Sequence, residues 1–141
     1  MNSKKTKKHS ITPKVFTVFP KALENISTSQ LDYEHLADLE TLFRERLTKA
    51  LEAIEKQAVK KYVFKPSGVI RWVVKGKERE YVTIEHNFCS CKDFLFNALY
   101  RRNTPACYHL LAREIAEASK RYIEITVDDD QYQALLEKWL L

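Results

Sequence analysis

Two short motifs, Cys89-Ser90-Cys91 and Cys107-Tyr108-His109, hold every cysteine in the chain. Three thiols do not make a disulfide framework, whereas three cysteines and one histidine make a complete tetrahedral ligand set for one zinc ion. The spacing supports that chemistry. Residues two apart in extended backbone project to the same side, so Cys89 and Cys91 can form one jaw as the chain leaves a strand. Inside a regular helix, residues two apart diverge by about 200°. Cys107 is therefore expected just before a helix, on the connection after Pro105, with His109 in the first turn. Backbone N–H groups at that helix start favour a thiolate-rich site. His86 is the substitute ligand, ranked below His109; His9 and His35 are not expected to bind metal. A four-ligand Cys3His site is closed, so the ion acts as a fold-forming crosslink and not as a catalyst.

The rest of the chain reads as one α+β unit. Its 141 residues, 45% hydrophobic, suit a single compact domain and exclude a multidomain enzyme. Apolar residues at 36, 39, 43, 47, 50, 51, 54 and 58 recur at helical spacing without Gly or Pro. They predict a long amphipathic helix from Leu31 to about Lys60, capped by Thr28, Ser29 or Asp32. The only glycines, Gly68 and Gly76, mark turns between three short antiparallel strands, 62–65, 69–74 and 81–84. Asp93 is expected to cap a helix through about Tyr100, and a further helix runs from about 110 to 120. Residues 122–127 make a fourth strand or an extended strap. Asp128 with Gln131 resembles a capping box that opens a final helix through Trp139. The Asp128–Asp130 run reads as a helix N-terminal acidic cluster ahead of a cation site.

Charge is unevenly placed. The formal net charge is +5, but residues 1–14 hold Lys4, Lys5, Lys7, Lys8 and Lys14 and no acid. They also hold almost nothing apolar, so a disordered basic tail is expected before a single domain over 15–141. Residues 56–113 carry twelve basic and four acidic side chains. That excess is either a basic face or ordinary solvated surface. On the first reading Lys75, Lys77, Arg79, Lys92, Arg101 and Arg102 contact phosphates, with Arg71 and Trp72 on the strands. No apolar run exceeds three residues and the basic start lacks an apolar signal core, so an intracellular protein without a membrane segment is expected. With the glycines so placed no phosphate-cradling loop forms, and no free cysteine is left as a nucleophile. No enzymatic activity is expected.

Cys89-x-Cys91 followed after fifteen residues by Cys107-x-His109, with strands before and a helix after, resembles the SWIM zinc finger. The stretches Phe88-Cys-Ser-Cys-Lys-Asp-Phe-Leu-Phe96 and Cys107-Tyr-His-Leu-Leu-Ala112 are similar to the Shu-type branch, the SWIM subunits of recombination-mediator complexes. The likeness covers roughly residues 60–141, with 62–120 as the finger unit and 121–141 as a C-terminal strap and helix. It implies a long N-terminal helix, a small antiparallel sheet, a Cys3His finger packed on a helix, and a C-terminal helix. It also implies a role in homologous recombination and DNA repair, through pairing with a RecA-family recombinase paralogue and assistance to the recombinase on single-stranded DNA. Phe94, Leu95, Leu99, Tyr100 or Trp139 would dock such a partner, unless they belong to the core. The alternative is a SWIM protein that binds DNA directly, in transcription or transposition, without a recombinase partner. The cell compartment would be cytoplasmic in a prokaryote or nuclear in a eukaryote.

Overall fold

A computed structural model describes residues 33–84 and 88–140. The basic tail, the candidate caps Thr28, Ser29 and Asp32, His9, His86 and the side chain of His35 lie outside the described residues. The element order is α1 (Tyr33–Phe43), α2 (Glu45–Glu55), β1 (Val59–Lys65), β2 (Ile70–Lys75), β3 (Glu80–Ile84), β4 (Phe88–Cys89), a π-helix (Phe94–Tyr100), α3 (Tyr108–Ser119), β5 (Ile123–Asp128), a 3-10 turn (Asp129–Gln131) and α4 (Tyr132–Leu140). No helix among the described residues is long and apolar enough to cross a membrane.

Where the single helix over 31–60 is expected, the described residues from Tyr33 on form two helices. Arg44 breaks it with φ 56 and ψ −127, a left-handed conformation that costs a non-glycine residue energy. Its N–H still donates to the Glu40 carbonyl at 2.8 Å. Leu39 and Phe43 before the break share one core with Leu47, Ala50 and Ile54 after it. A straight helix of that length would reach roughly 40 Å, past the body of so small a domain; the break keeps both segments on the core. The second helix then ends at Glu55, leaving 59–61 free to begin β1.

Five strands form one sheet in the order β4-β3-β2-β1-β5. All neighbours are antiparallel except β1 and β5, which run parallel with Lys60 beside Ile123 and Lys65 beside Asp128. The 122–127 segment is therefore a true strand, and β4 is a short addition that strand propensity did not reveal. Both faces of the sheet are covered, which explains the almost continuous apolar run of β2. Trp72 and Val74 project into one core with α1, α2 and α3, while Val73 projects to the other side with Tyr62, Phe64, Val82 and Trp139 of α4. The alternation is the period of two that a strand imposes.

Two expected caps work differently. Asp93 has helical φ and ψ and no capping hydrogen bond; its carboxylate instead accepts from Arg46 Nε at 3.0 Å, Arg46 Nη2 at 2.9 Å and Asn97 Nδ2 at 2.7 Å. The segment it precedes winds as a π-helix, with the Arg101 N–H reaching back to the Phe96 carbonyl at 2.8 Å. Asp128 likewise makes no side-chain cap. Its neighbour Asp129 accepts from the Ser67 N–H at 3.0 Å and hydroxyl at 2.8 Å, tying the end of β5 to the β1–β2 turn. Asp93, with closer donors in Arg46 and Asn97, gives up the local cap.

Candidate metal centre

The centre is built where the sheet meets α3. Ser90, between the first two cysteines, donates through its N–H to the Val82 carbonyl at 3.0 Å and through its hydroxyl to the Trp139 carbonyl at 3.3 Å, while the Val82 N–H donates to Ser90 Oγ at 3.2 Å. With Ser90 turned to β3 and α4, Cys89 and Cys91 turn the opposite way together, as extended backbone requires. Cys107 is the N-cap of α3, with φ −81 and ψ 172, and its Sγ accepts from the Leu110 N–H at 3.4 Å. Cys91 Sγ accepts from the Phe94 N–H at 3.3 Å. His109 lies in the first turn of α3.

One ligand atom from each of Cys89, Cys91, Cys107 and His109 lies within 4.8 Å of the others, and all four residues are buried. Tetrahedral zinc at about 2.3 Å from sulfur and about 2.0 Å from nitrogen needs only a modest contraction of this set. The chemistry of the donors fits the ion independently. Both imidazole nitrogens of His109 are buried without a hydrogen-bond partner, an arrangement that a metal bond offsets. Left to themselves, the three thiols oppose one another. Hydrogen bonds from Cys107 and Cys89 lower the Cys91 pKa, whereas burial, followed by its two sulfur neighbours, raises that of Cys107. The bond from Cys107 favours the Cys89 thiolate, but the bond and charge of Cys91 together with burial outweigh it, and the Cys89 pKa is raised. A divalent cation is what allows all three to ionise side by side. One structural zinc ion fits this Cys3His group, with Cys89, Cys91, Cys107 and His109 as the residues that would hold it.

Neighbouring residues fix the ligands in place. The His109 ring is flanked by Tyr81, centroids 4.6 Å apart, and Tyr108, 4.1 Å apart. Gly76 sits against it. A Cβ on Gly76 would stand 3.0 Å from His109 Nε2 and 2.8 Å from Tyr81 Cε2, so this glycine is required by close approach, a role that turn chemistry alone did not separate from an ordinary loop. The Arg46–Asp93 pair ties α2 to the residues just after Cys91. Burial acts to raise the Asp93 pKa, but the hydrogen bonds from Arg46 and Asn97 and the Arg46 charge outweigh it, and it lies below the usual carboxylate value. Arg46 was not marked by any motif, being distant in sequence from its partner.

The six basic candidates divide. Lys75 and Lys77 line a cleft between α2 and the β2–β3 turn, together with Lys49, Lys56, Glu52 and Glu78. Arg79 and Lys92 line a second cleft with Arg46 and Lys49, and His109, Tyr81 and Tyr108 border both. Arg101 and Arg102 line neither. Lys49 went unnoticed because it sits on α2, ahead of the basic 56–113 segment, while Lys56, the C-cap of that helix, was counted in the segment but not among the six. Trp72 is buried beneath Tyr122 and Arg113, so it cannot stack on a base. Arg71 donates to the Tyr132 hydroxyl at 3.0 Å. Of the apolar docking candidates, Phe94 and Trp139 are core, whereas Leu95, Leu99 and Tyr100 are exposed, joined by Phe96.

No protein-family model matches the sequence. Over 125 residues the chain is 30% identical to the zinc finger SWIM domain-containing protein 7 homolog of Dictyostelium discoideum, a span covering 87% of this chain and 80% of that one. It is 27% identical over 111 residues to the zinc finger SWIM domain-containing protein 7 of Homo sapiens, covering 77% of this chain and 79% of the human one. An uncharacterized protein of Archaeoglobus fulgidus is 34% identical over 119 residues, covering 84% of this chain and 96% of its own.

Proposed function

The chain belongs to the SWIM zinc-finger family, and from that premise we propose that it is a non-enzymatic, intracellular adaptor of homologous recombination and DNA repair. In this reading it is a Shu-type SWIM subunit that pairs with a RecA-family recombinase paralogue and assists the recombinase on single-stranded DNA. A centre with four protein ligands offers a substrate no coordination position, so the metal's work is to hold β4, the π-helix and α3 in fixed relation. The observation that carries the adaptor role is what this frame presents. Leu95 and Leu99, and beside them Phe96 and Tyr100, stand four residues apart on the π-helix with exposures of 51%, 39%, 45% and 82%. Grouped aromatic and aliphatic side chains on a rigid element suit a protein partner. In a pull-down from the native source, the full chain is expected to bring down a RecA-like ATPase. Phe96→Ser with Tyr100→Ser should lose that ATPase while keeping zinc and the circular dichroism of the parent. Retention of the ATPase by the double variant, or its absence from the parent pull-down, refutes the reading.

One observation favours a second reading, direct contact with DNA. Lys49, Lys56, Lys75 and Lys77 are exposed around a single cleft, and none is ion-paired among the described residues. Unpaired cations in a groove release counterions when they meet phosphates. For single-stranded DNA each contact removed lowers the salt-dependence slope by about 0.7. Lys75→Ala with Lys77→Ala should therefore lower it by about 1.4 if both touch phosphate; an unchanged slope excludes this cleft.

A further inference from the structure

The two edges of the sheet are unequally protected. On the side of the metal centre the edge is β4, two residues long and too short to template another strand. The opposite edge is β5, the six residues Ile123–Asp128. Ile123, Ile125, Thr126 and Val127 are β-branched, and the strand holds no proline, glycine or lysine; its charges are Glu124, 3.9 Å from Lys61 of β1, and Asp128 at its end. Its register with β1 runs from Ile123 to Asp128 without a bulge. Among the described residues β1 is its only strand neighbour, which leaves a row of backbone donors and acceptors on the outer side.

Charge gives this edge a direction. Lys120 and Arg121 precede it, and Asp128, Asp129 and Asp130 close it. Lys120, Asp128 and Asp130 are exposed, while Asp129 is occupied by Ser67. A strand with a basic head and an acidic tail complements its own copy run antiparallel. Lys120 is the C-cap of α3 and Asp130 lies in the 3-10 turn, just outside the two ends of β5, so a two-fold axis at Ile125 brings the basic corner of one copy to the acidic corner of the other. The same axis places Glu124 opposite Thr126 and not opposite a second Glu124. It also places Ile123 opposite Val127. Ile123, Ile125 and Val127 share a face, on which Ile125 and Val127 already pack against the Trp139 cluster, so the pairing continues an apolar strip across the joint and covers Ile123.

We infer that β5 is a self-association edge, at which two copies of this chain pair antiparallel about Ile125 to run one sheet through both. The interface is isologous, with each copy supplying the same strand. It uses neither the π-helix strip nor the lysine cleft.

Sedimentation equilibrium of the full chain tests it. A reversible monomer–dimer equilibrium is expected, weakening as salt rises. Lys120→Asp and Asp130→Lys should each weaken dimerisation by about tenfold, because the two corner-to-corner attractions of the dimer become repulsions. The double variant should restore the parent constant, since it rebuilds both pairs in reverse. Both positions are exposed, and aspartate tolerates the left-handed φ of 59 at Lys120; zinc content and circular dichroism confirm each fold. Ile123→Lys should also disrupt the dimer. A chain that stays monomeric up to about 1 mM, the weak end of measurable association, overturns the inference. So does a dimer indifferent to both charge reversals, a double variant that fails to recover, or a dimer broken by Phe96→Ser instead.

Discussion

Replacing Gly76 by alanine inserts one methyl group against the metal ligand itself. The new Cβ would lie 2.8 Å from Tyr81 Cε2 and 3.0 Å from His109 Nε2, inside ordinary van der Waals contact. Neither neighbour is the free end of a flexible chain. Both are ring atoms, and the two rings pack against each other with centroids 4.6 Å apart and planes tilted by 40°, with Tyr108 against the histidine as well. Relief must come from moving the His109 ring or the β2–β3 turn. Overpacking of this kind costs about 1–3 kcal/mol, of which the lower entropy of the unfolded chain offsets about 0.4–1 kcal/mol. If the cost falls on the metal-bound state, zinc affinity drops by roughly 3- to 100-fold, at about 1.4 kcal/mol per tenfold. Competition against a chromophoric chelator reads this directly. Gly68→Ala is the matched control: it sits at φ 81 with nothing within 4 Å of its added Cβ, so it should cost about 1 kcal/mol of backbone strain and lower zinc affinity only through folding, by about fivefold. If Gly76→Ala binds zinc as tightly as the parent, the close approach to His109 has no functional weight and the account of this glycine is wrong.

Three other perturbations have expected outcomes. Arg46→Ala removes a two-pronged hydrogen bond to Asp93 and should lower unfolding free energy by about 1–3 kcal/mol in urea denaturation; a change within error would show that the link from α2 to the π-helix is dispensable. Trp139→Ala empties a fully buried site between α4 and the sheet and should cost about 3–5 kcal/mol by thermal or chemical unfolding, whereas a smaller loss would place α4 outside the cooperative unit. Burial acts to raise the Glu80 pKa, but the Lys60 hydrogen bond and the charges of Lys60 and Lys138 outweigh it, holding it below its ordinary value of 4.5. The stability that this depressed carboxylate contributes is full above the unfolded pKa and is lost as pH falls through the folded one. Glu80→Gln should therefore flatten the acid limb of the stability profile, and an unchanged limb would contradict the assignment.

The ligand set could be read from the sequence because its geometry is local. Cys89 and Cys91 need only the two-residue period of extended backbone, and Cys107 and His109 need only a helix start after Pro105. The missing parts depend on segments far apart in the chain. Gly76 is required by a ring that comes from α3, and Asp93 loses its local cap to Arg46, 47 residues away. Whether 122–127 was strand or strap turned on β1, whose Lys60 pairs with Ile123 from 63 residues away in the chain. Arg44 shows the same limit within one segment: the apolar spacing continues through it, and the break follows from the need of Phe43 and Leu47 to face one core. Burial of Phe94 beside exposure of Leu95 and Phe96 was likewise invisible to composition, since all three are apolar and the π-helix changes which positions share a face.

The central claim is that Cys89, Cys91, Cys107 and His109 hold one zinc ion whose binding is part of folding. Metal analysis of the full chain, followed by chelator titration under circular dichroism, tests it most directly. The account predicts one zinc per chain, loss of structure in step with loss of metal, and both effects in Cys107→Ser and His109→Ala. A metal-free parent chain that keeps its cooperative unfolding transition would contradict it.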